Sequence, residues 1–297
     1  MNGSSPRVVV FGDIVNDVVV VPKSAIRPDT DTTSTIRPRP GGSAANTAAW
    51  LGSLGTPTDF IGSVGIADVE YHTEELHKQN VVPHLKVAVG LPTSTIVIIV
   101  EGEHRAMLTE RGANRALSTK ELTDELLAQA AVLHLTGYSL LDGPRGPGMR
   151  DLIDRAHAAG VTVSINPGSA GFIADFGPSE FVPGIAGADI LFANSQEAAL
   201  LCSEVTAERM AQALSDRYGI AVITQGADSV FVAESGGKPI SVPVPPVRLV
   251  DPTGAGDAMA AGFLNSWIVE RDLLTATRAG ILVAARAVML MGGRPVI

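Results

Sequence analysis

The stretch Asp251-Pro252-Thr253-Gly254-Ala255-Gly256-Asp257-Ala258-Met259-Ala260-Ala261-Gly262 joins a strand-like run to an amphipathic segment, and its reading decides the fold. Small residues at Gly254, Ala255 and Gly256 let the backbone turn sharply and present consecutive N–H groups at a helix N-terminus, where the helix dipole favours an anion. Asp257, at the helix start, is placed to accept the proton of a hydroxyl that approaches such an anion. Gly-rich turns and first-turn acids are also ordinary helix-capping features, so this stretch alone leaves a phosphate cradle and a plain cap both open. Downstream, Met259, Phe263 and Trp267 recur every four residues with Ala260, Leu264 and Ile268 beside them. That spacing predicts a helix packed on a sheet, starting near Asp257.

Working outward, six short apolar runs stand out: Val8 to Phe11, Thr58 to Ile61, Val132 to Leu135, Val161 to Ile165, Ile190 to Ala193 and Ala221 to Thr224. Continuous apolar runs separated by helical patterns are the mark of parallel strands covered on both faces. The helical patterns fall at Ala44 to Leu54, Ser118 to Gln129, Arg150 to Ala159, Ala207 to Tyr218 and Asp257 to Val269, which together predict a doubly wound α/β sheet. Two segments break this rhythm. Ile14 to Val21 with Ser34 to Arg39, and Thr93 to Val100 with Arg105 to Thr109, read as antiparallel pairs of a small separate sheet, the second closing at Glu101-Gly102-Glu103-His104.

Composition narrows the function. A formal net charge of −9 with no local basic patch argues against nucleic acid as a partner. The single cysteine, Cys202, excludes an internal disulfide and any multi-cysteine metal site, as expected in a reducing compartment. Met1 to Arg7 runs straight into the first strand without a signal-peptide cleavage pattern, and no apolar stretch is long enough to span a bilayer. The expectation is a soluble, cytoplasmic protein with no membrane partner. His72-Thr73-Glu74-Glu75-Leu76-His77 lacks the His-Glu-x-x-His spacing of a metal helix and reads as a solvated helix, and no P-loop sequence is present.

A second Gly-rich turn, Pro40-Gly41-Gly42-Ser43-Ala44-Ala45-Asn46-Thr47-Ala48, places a polar Asn in the first turns of another helix. With both turns in this order, about two hundred residues apart, the chain resembles the PfkB, or ribokinase-like, family of carbohydrate kinases over nearly its whole length. The resemblance implies a three-layer α/β sandwich with a mostly parallel central sheet and a small β-lid. The catalytic domain would comprise 1–12, 41–90 and 112–297, and the lid 13–40 and 91–111. It also implies an ATP-dependent phosphotransferase that uses magnesium and acts on a hydroxymethyl group of a sugar.

Carried over by position, Asp257 matches the family's catalytic base, and Gly254, Ala255 and Gly256 its anion hole. Asp17 matches the residue that binds acceptor hydroxyls, a role suited to a carboxylate facing two neighbouring hydroxyls. Gly41, Gly42 and Asn46 match the rest of the acceptor turn. Asn194 and Glu197 resemble the Asn-x-x-Glu element of the magnesium and phosphate environment, although such a pair also caps a helix unaided. Thr224 and Gly226 resemble the turn along the nucleotide. Asp251 resembles the ligand of a monovalent cation, which brings potassium into the expectation.

Two departures bear on the acceptor and a third, at Ser229, on the nucleotide turn. Ribokinases carry a Glu where this chain has Thr136-Gly137-Tyr138, a Lys where it has Ser43, and a Gly where it has Ser229, whereas Gly112-Ala113-Asn114 and Asn166-Pro167-Gly168 look ribokinase-like. A free sugar ranks first as acceptor and a nucleoside, of adenosine or pseudouridine type, second. A sugar phosphate is the third reading, with Arg37, Arg39, Arg105 and Arg111 as candidate anion partners. A non-catalytic sugar- or nucleotide-binding protein is the remote alternative, opposed by the intact Asp257 turn. The apolar run Thr95 to Val100 is too apolar for one face of a free two-layer lid, which predicts a homodimer through the lid.

Overall fold

The structure is a computed structural model that describes residues 6–101, 104–142 and 147–296. In chain order the strands are β1 (Arg7–Phe11), β2 (Val15–Pro22), β3 (Ser34–Gly41), β4 (Thr58–Val64), β5 (Val81–Val87), β6 (Thr95–Glu101) and β7 (His104–Glu110). After them come β8 (Ala130–Thr136), β9 (Thr162–Asn166), β10 (Ile190–Asn194), β11 (Ile220–Thr224), β12 (Ser229–Glu234) and β13 (Ile240–Pro243). Nine form one sheet in the order β13-β12-β11-β10-β9-β8-β1-β4-β5. It is parallel from β5 to β11, and β12 and β13 extend it antiparallel.

The apolar runs are continuous because both faces are covered. Alternate residues of β1 enter different cores: Val9 and Phe11 join Leu133, Leu135 and Phe181, whereas Val8 and Val10 join Trp50, Phe60 and Phe263. Two cores on opposite faces of one sheet make the three layers of the sandwich. The helix Ala255–Glu270 is apolar nearly all round because it lies between the sheet and the helix Leu273–Ala287. The two helices approach closely at glycines: a Cβ on Gly262 would sit 2.8 Å from the Ala279 carbonyl oxygen, and one on Gly280 would sit 2.7 Å from that of Met259.

The second sheet runs β3-β2-β6-β7. The antiparallel pairs β2–β3 and β6–β7 are those expected from the sequence, and the parallel contact β2–β6 joins them into one lid sheet. The turn expected at Glu101 to His104 falls in part on 102–103, outside the described residues.

Two expectations change, and one helix lies outside the patterns read from the sequence. Ser118 to Gln129 is not one helix but a 3-10 turn, Thr119–Glu121, and a single helical turn, Asp124–Leu127. The Ser118 and Thr123 side chains each cap their own start by accepting from Lys120 N and Leu126 N, which divides the segment. The helix Val69–Lys78 is not solvated at His72, whose ring is fully buried and bonds Asn16 Oδ1 of the lid strand through Nε2 at 3.0 Å. The helix Leu273–Ala287 is not among the helical patterns read from the sequence: its apolar residues do not keep to one stripe, since Ile281 and Val283 are buried and Leu282 between them is exposed. No helix among the described residues is long and apolar enough to cross a membrane.

Strand direction positions the site. The C-terminal ends of β1, β8, β9, β10 and β11 share one edge of the sheet, where Gly12, Thr136, Asn166, Asn194 and Thr224 emerge, and the lid strands rise from that edge. In open α/β sheets this edge is where ligands bind.

Candidate active site

Asp257 lies in the first turn of the helix Ala255–Glu270 and is only 7% exposed. Its carboxylate is held from two sides. Ser43 Oγ donates to Oδ1 at 2.6 Å and Asn46 Nδ2 donates to Oδ2 at 3.1 Å, while Asn166 Nδ2 stands 3.5 Å from Oδ1. Burial pushes its pKa up to about 7, against the Ser43 and Asn46 hydrogen bonds, with the Asp13 and Asp17 charges adding to the rise. Near neutral pH this carboxylate exchanges a proton readily, as a general base must.

The turn before Asp257 takes the shape its glycines allow. Gly254 is left-handed at φ 75°, and a Cβ there would lie 2.6 Å from Gly293 Cα. The Ala255 N–H turns back to the Pro252 carbonyl at 3.2 Å. The next N–H groups belong to the first helical turn, which has no intrahelical acceptors. Asp251 closes the turn: Oδ1 accepts from Thr253 N at 2.9 Å and Thr253 Oγ1 at 2.6 Å, and Oδ2 accepts from Gly292 N at 2.9 Å.

Asp17 projects from lid strand β2 over the Gly41–Asn46 turn. A Cβ on Gly41 would lie 2.1 Å from Asp17 Oδ2, so only glycine permits this approach. The carboxyl is buried, and among the described residues nothing hydrogen-bonds to it. Burial raises its pKa to about 7, the Arg294 charge opposes the rise, and the Asp13 and Asp251 charges add to it. A buried carboxylate without a hydrogen-bond partner is costly, and hydroxyl donors from a ligand would relieve that cost.

Gly42 precedes the helix Ser43–Ser53 at φ 98° and has no side chain to cap it. Asp13 supplies the cap from outside, accepting from Ser43 N at 2.7 Å, Ala44 N at 3.2 Å and Thr136 Oγ1 at 2.9 Å. Sequence reasoning missed Asp13 and the clamp that Ser43 places on Asp257. A signal for the first existed: a helix opening on Gly42 needs a cap from elsewhere. The equally unforeseen Arg294, 8% exposed, donates from Nη2 to the Gly41 carbonyl at 2.9 Å and from Nε to Asn46 Oδ1 at 3.4 Å.

The other half of the edge is built differently. Asn194 and Thr224 are register partners on β10 and β11. Asn194 and Glu197 form a capping box on the helix Ser195–Leu201, with Glu197 accepting from Asn194 N at 2.9 Å and from Asn194 Nδ2 at 2.5 Å. Burial raises the Glu197 pKa to about 7, against the Asn194 hydrogen bonds. Gly226 is left-handed at φ 59° with open space where a Cβ would point, and Ser229 Oγ ties the turn by donating to Gln225 Oε1 at 3.2 Å. Among the arginines considered for an acceptor phosphate, Arg39 donates from Nη1 to the Met291 carbonyl, Arg37 is exposed, and the Arg105 side chain lies outside the described residues.

Comparison with known proteins agrees with this geometry. The model of the pfkB family carbohydrate kinases matches residues 5–296. The ATP-dependent ribose-1-phosphate kinase of Halopiger xanaduensis is 33% identical over 254 residues, covering 83% of this chain and 80% of that protein. The fructokinase of Rhizobium leguminosarum bv. trifolii is 32% identical over 249 residues, covering 80% and 74%. The crystal structure of adenosine kinase from Sinorhizobium meliloti superposes with a TM-score of 0.87 at 28% identity, covering 99% of this chain and 97% of that one. A match that spans both turns, the lid and the whole sheet establishes that the chain belongs to the pfkB family, as an ATP-dependent kinase of a small sugar or nucleoside.

Proposed function

We propose that this chain transfers the γ-phosphoryl group of ATP to the hydroxymethyl group of a ribosyl acceptor, with Asp257 as the general base. The observation that carries the reading is the pair of buried carboxylates on either side of the Gly41–Asn46 turn, Asp257 hydrogen-bonded in place and Asp17 without a hydrogen-bond partner among the described residues. Asp17 would take two neighbouring ring hydroxyls and so aim the primary hydroxyl at Asp257. Asp257 would accept the hydroxyl proton as the oxygen closes on phosphorus, because a carboxylate is too weak a base to form a free alkoxide beforehand. The Gly254–Gly256 turn and the helix N-terminus would meet the charge that develops on the transferred group.

Phosphoryl transfer asks a protein chiefly for position and charge, and this donor set fits magnesium carried on ATP. One buried carboxylate, Glu197, suits an ion that keeps waters and phosphate oxygens as its other ligands, and bound there it would neutralise phosphate charge. Asp251 holds the turn that a potassium ion would brace, so activation by potassium belongs to the same reading.

A ribosyl acceptor carrying a group at C1 is favoured by the wall beside Asp13. In the stretch Thr136 to Tyr138, where ribokinases carry a Glu, Tyr138 lines the cleft beside Asp13 and is backed by the buried Phe172 at a centroid distance of 5.0 Å, so its ring offers a face to a planar base. Adenosine and ribose 1-phosphate, named in two of the relatives, share such a ribosyl unit. The test is ADP release across ribose, fructose, ribose 1-phosphate and nucleosides: acceptor-dependent release greatest with a C1-substituted ribosyl compound supports the reading, and preference for fructose replaces it with a hexose kinase. Self-association through the lid is part of the proposal, because Ile36 on one edge strand and Met107 and Leu108 on the other are more than half exposed. A monomer in sedimentation with full activity would remove it.

A further inference from the structure

The C-terminal segment Met291–Pro295 is tied to five parts of the molecule at once. Arg39 of the lid donates to the Met291 carbonyl at 2.9 Å, and the Gly292 N–H donates to Asp251 at 2.9 Å. Trp50 Nε1 donates to the Gly293 carbonyl at 2.9 Å, and Gln79 Nε2 to that of Pro295 at 3.1 Å. Arg294 reaches the acceptor turn. Gly293 lies against Asn46 so closely that a Cβ there would sit 2.3 Å from Asn46 Nδ2.

We infer that Arg294 is a positioning residue for phosphoryl transfer, which locks the Asn46 amide so that its NH₂ group faces Asp257. The inference rests on the reading of Asp257 as the base. An amide has one accepting and one donating end, and both neighbours of Asn46 are one-sided. A guanidinium only donates, and an ionised carboxylate only accepts. With Arg294 Nε on Oδ1, the Nδ2 end has one direction left, and there it donates to Asp257 Oδ2 at 3.1 Å. Arg294 also holds the Gly41 carbonyl, so one fork fixes both the glycine beneath Asp17 and the amide beside Asp257.

The arrangement is expensive, which is a reason to look for a role beyond packing. Arg294 is buried, makes no ion pair among the described residues, and leaves Nη1 without a hydrogen-bond partner. A buried cation lacking a paired anion costs stability that an apolar side chain of similar size would not. Burial lowers the Arg294 pKa to about 10, and the nearest acidic groups raise it only in part.

The test separates a lock on Asn46 from a general structural role. Arg294→Met should lower kcat by about ten- to a hundredfold, the scale of a misplaced reacting group. Read in an Asp17→Asn background, so that loss of the Arg294 charge beside Asp17 does not contribute, the acid limb of kcat/KM should move up by about one pH unit, because Asp257 loses a hydrogen bond that favours its ionised form. The other groups facing Asp257 remain: Ser43, Asn166, Asp13, Asp17, Tyr138 and Glu197. In an Asn46→Ala background, Arg294→Met should change kcat by less than about twofold, since the amide it locks is gone and its remaining bond to the Gly41 carbonyl bears on acceptor KM. An equal loss in both backgrounds, or an unmoved acid limb, overturns the inference. Should Arg294→Met fail to fold, Arg294→Lys replaces it: the charge is kept without the fork, the same limb shift is expected, and native kcat with an unmoved limb is the contrary result. Asp257→Asn run alongside keeps the two readings apart, because only near-native turnover in that variant sinks the base itself.

Discussion

Asp257 on the helix edge and Asp17 on the lid strand are carboxyls pushed to the same pKa, about 7, by the same dominant cause, burial, yet they stand in opposite surroundings. Two side-chain donors clamp Asp257 from the helix Ser43–Ser53, and among the described residues nothing hydrogen-bonds to Asp17. Burial therefore decides how tightly each holds its proton, and hydrogen bonds decide whether its lone pairs are aimed before a ligand arrives. The edge comes pre-aimed for chemistry. The lid strand carries a buried carboxylate with lone pairs to spare, as the role proposed for Asp17 in binding acceptor hydroxyls requires.

The largest expected effect is on the aimed carboxylate. Asp257→Asn should lower kcat by about 10² to 10⁴-fold, the range of a positioned general base, while ATP affinity changes little or improves because a negative charge near the γ-phosphate is gone. If the folded variant keeps near-native kcat and loses only ATP affinity, the distinction drawn between the two carboxylates is wrong.

Asp17→Asn should act on acceptor KM instead. Loss of charge-assisted hydrogen bonds of about 1.5 to 3 kcal/mol corresponds to at least about tenfold weaker acceptor binding. The same variant should be more stable than the wild type, by an amount that grows with pH. Folded Asp17 holds its proton up to about pH 7, whereas the unfolded chain releases it near 3.8, so wild-type stability falls as pH rises through that window. Asn has no charge to bury. Melting curves at pH 4 and pH 8 check this, and an equal difference at both would show that Asp17 is not buried as described.

A third, smaller effect joins the two sites. Because both carboxyls titrate near 7, kcat/KM for the acceptor should fall below about pH 7 with a slope approaching two, reduced to one in Asp17→Asn. The smallest effect is expected at the nucleotide turn. Gly226→Ala meets open space but must hold φ near 59°, a strain of about 1 kcal/mol, so ATP KM should rise a few-fold and acceptor KM should not change.

Much of this was legible in the sequence for a local reason. The six runs fall on strands with parallel neighbours, Val161 excepted, because strands covered on both faces are mostly apolar even where a Thr, Ser, Asp or His interrupts them. The turns at Gly41–Gly42 and Gly254–Gly256 show in the glycines that their backbone needs. What was hidden depends on partners far along the chain. Arg294 meets Asn46 across 248 residues and Ser43 meets Asp257 across 214, distances at which spacing carries no information. Asp13 was overshadowed by Asp17, since two acids four residues apart near a strand end look alike until the uncapped helix at Gly42 separates them. His72 read as solvated because its partner, Asn16, comes from the lid, whose place over the helix only the fold reveals.

The measurement that tests the central claim most directly is proton-coupled ³¹P NMR of the product formed from ATP, magnesium and a C1-substituted ribosyl acceptor such as adenosine or ribose 1-phosphate. Transfer to a hydroxymethyl group places phosphorus next to a CH₂, so the new phosphomonoester signal should split into a triplet, and it should grow about 10² to 10⁴-fold more slowly with Asp257→Asn. A doublet, from phosphorus on a secondary ring hydroxyl, or inorganic phosphate as the sole new signal, would contradict the account.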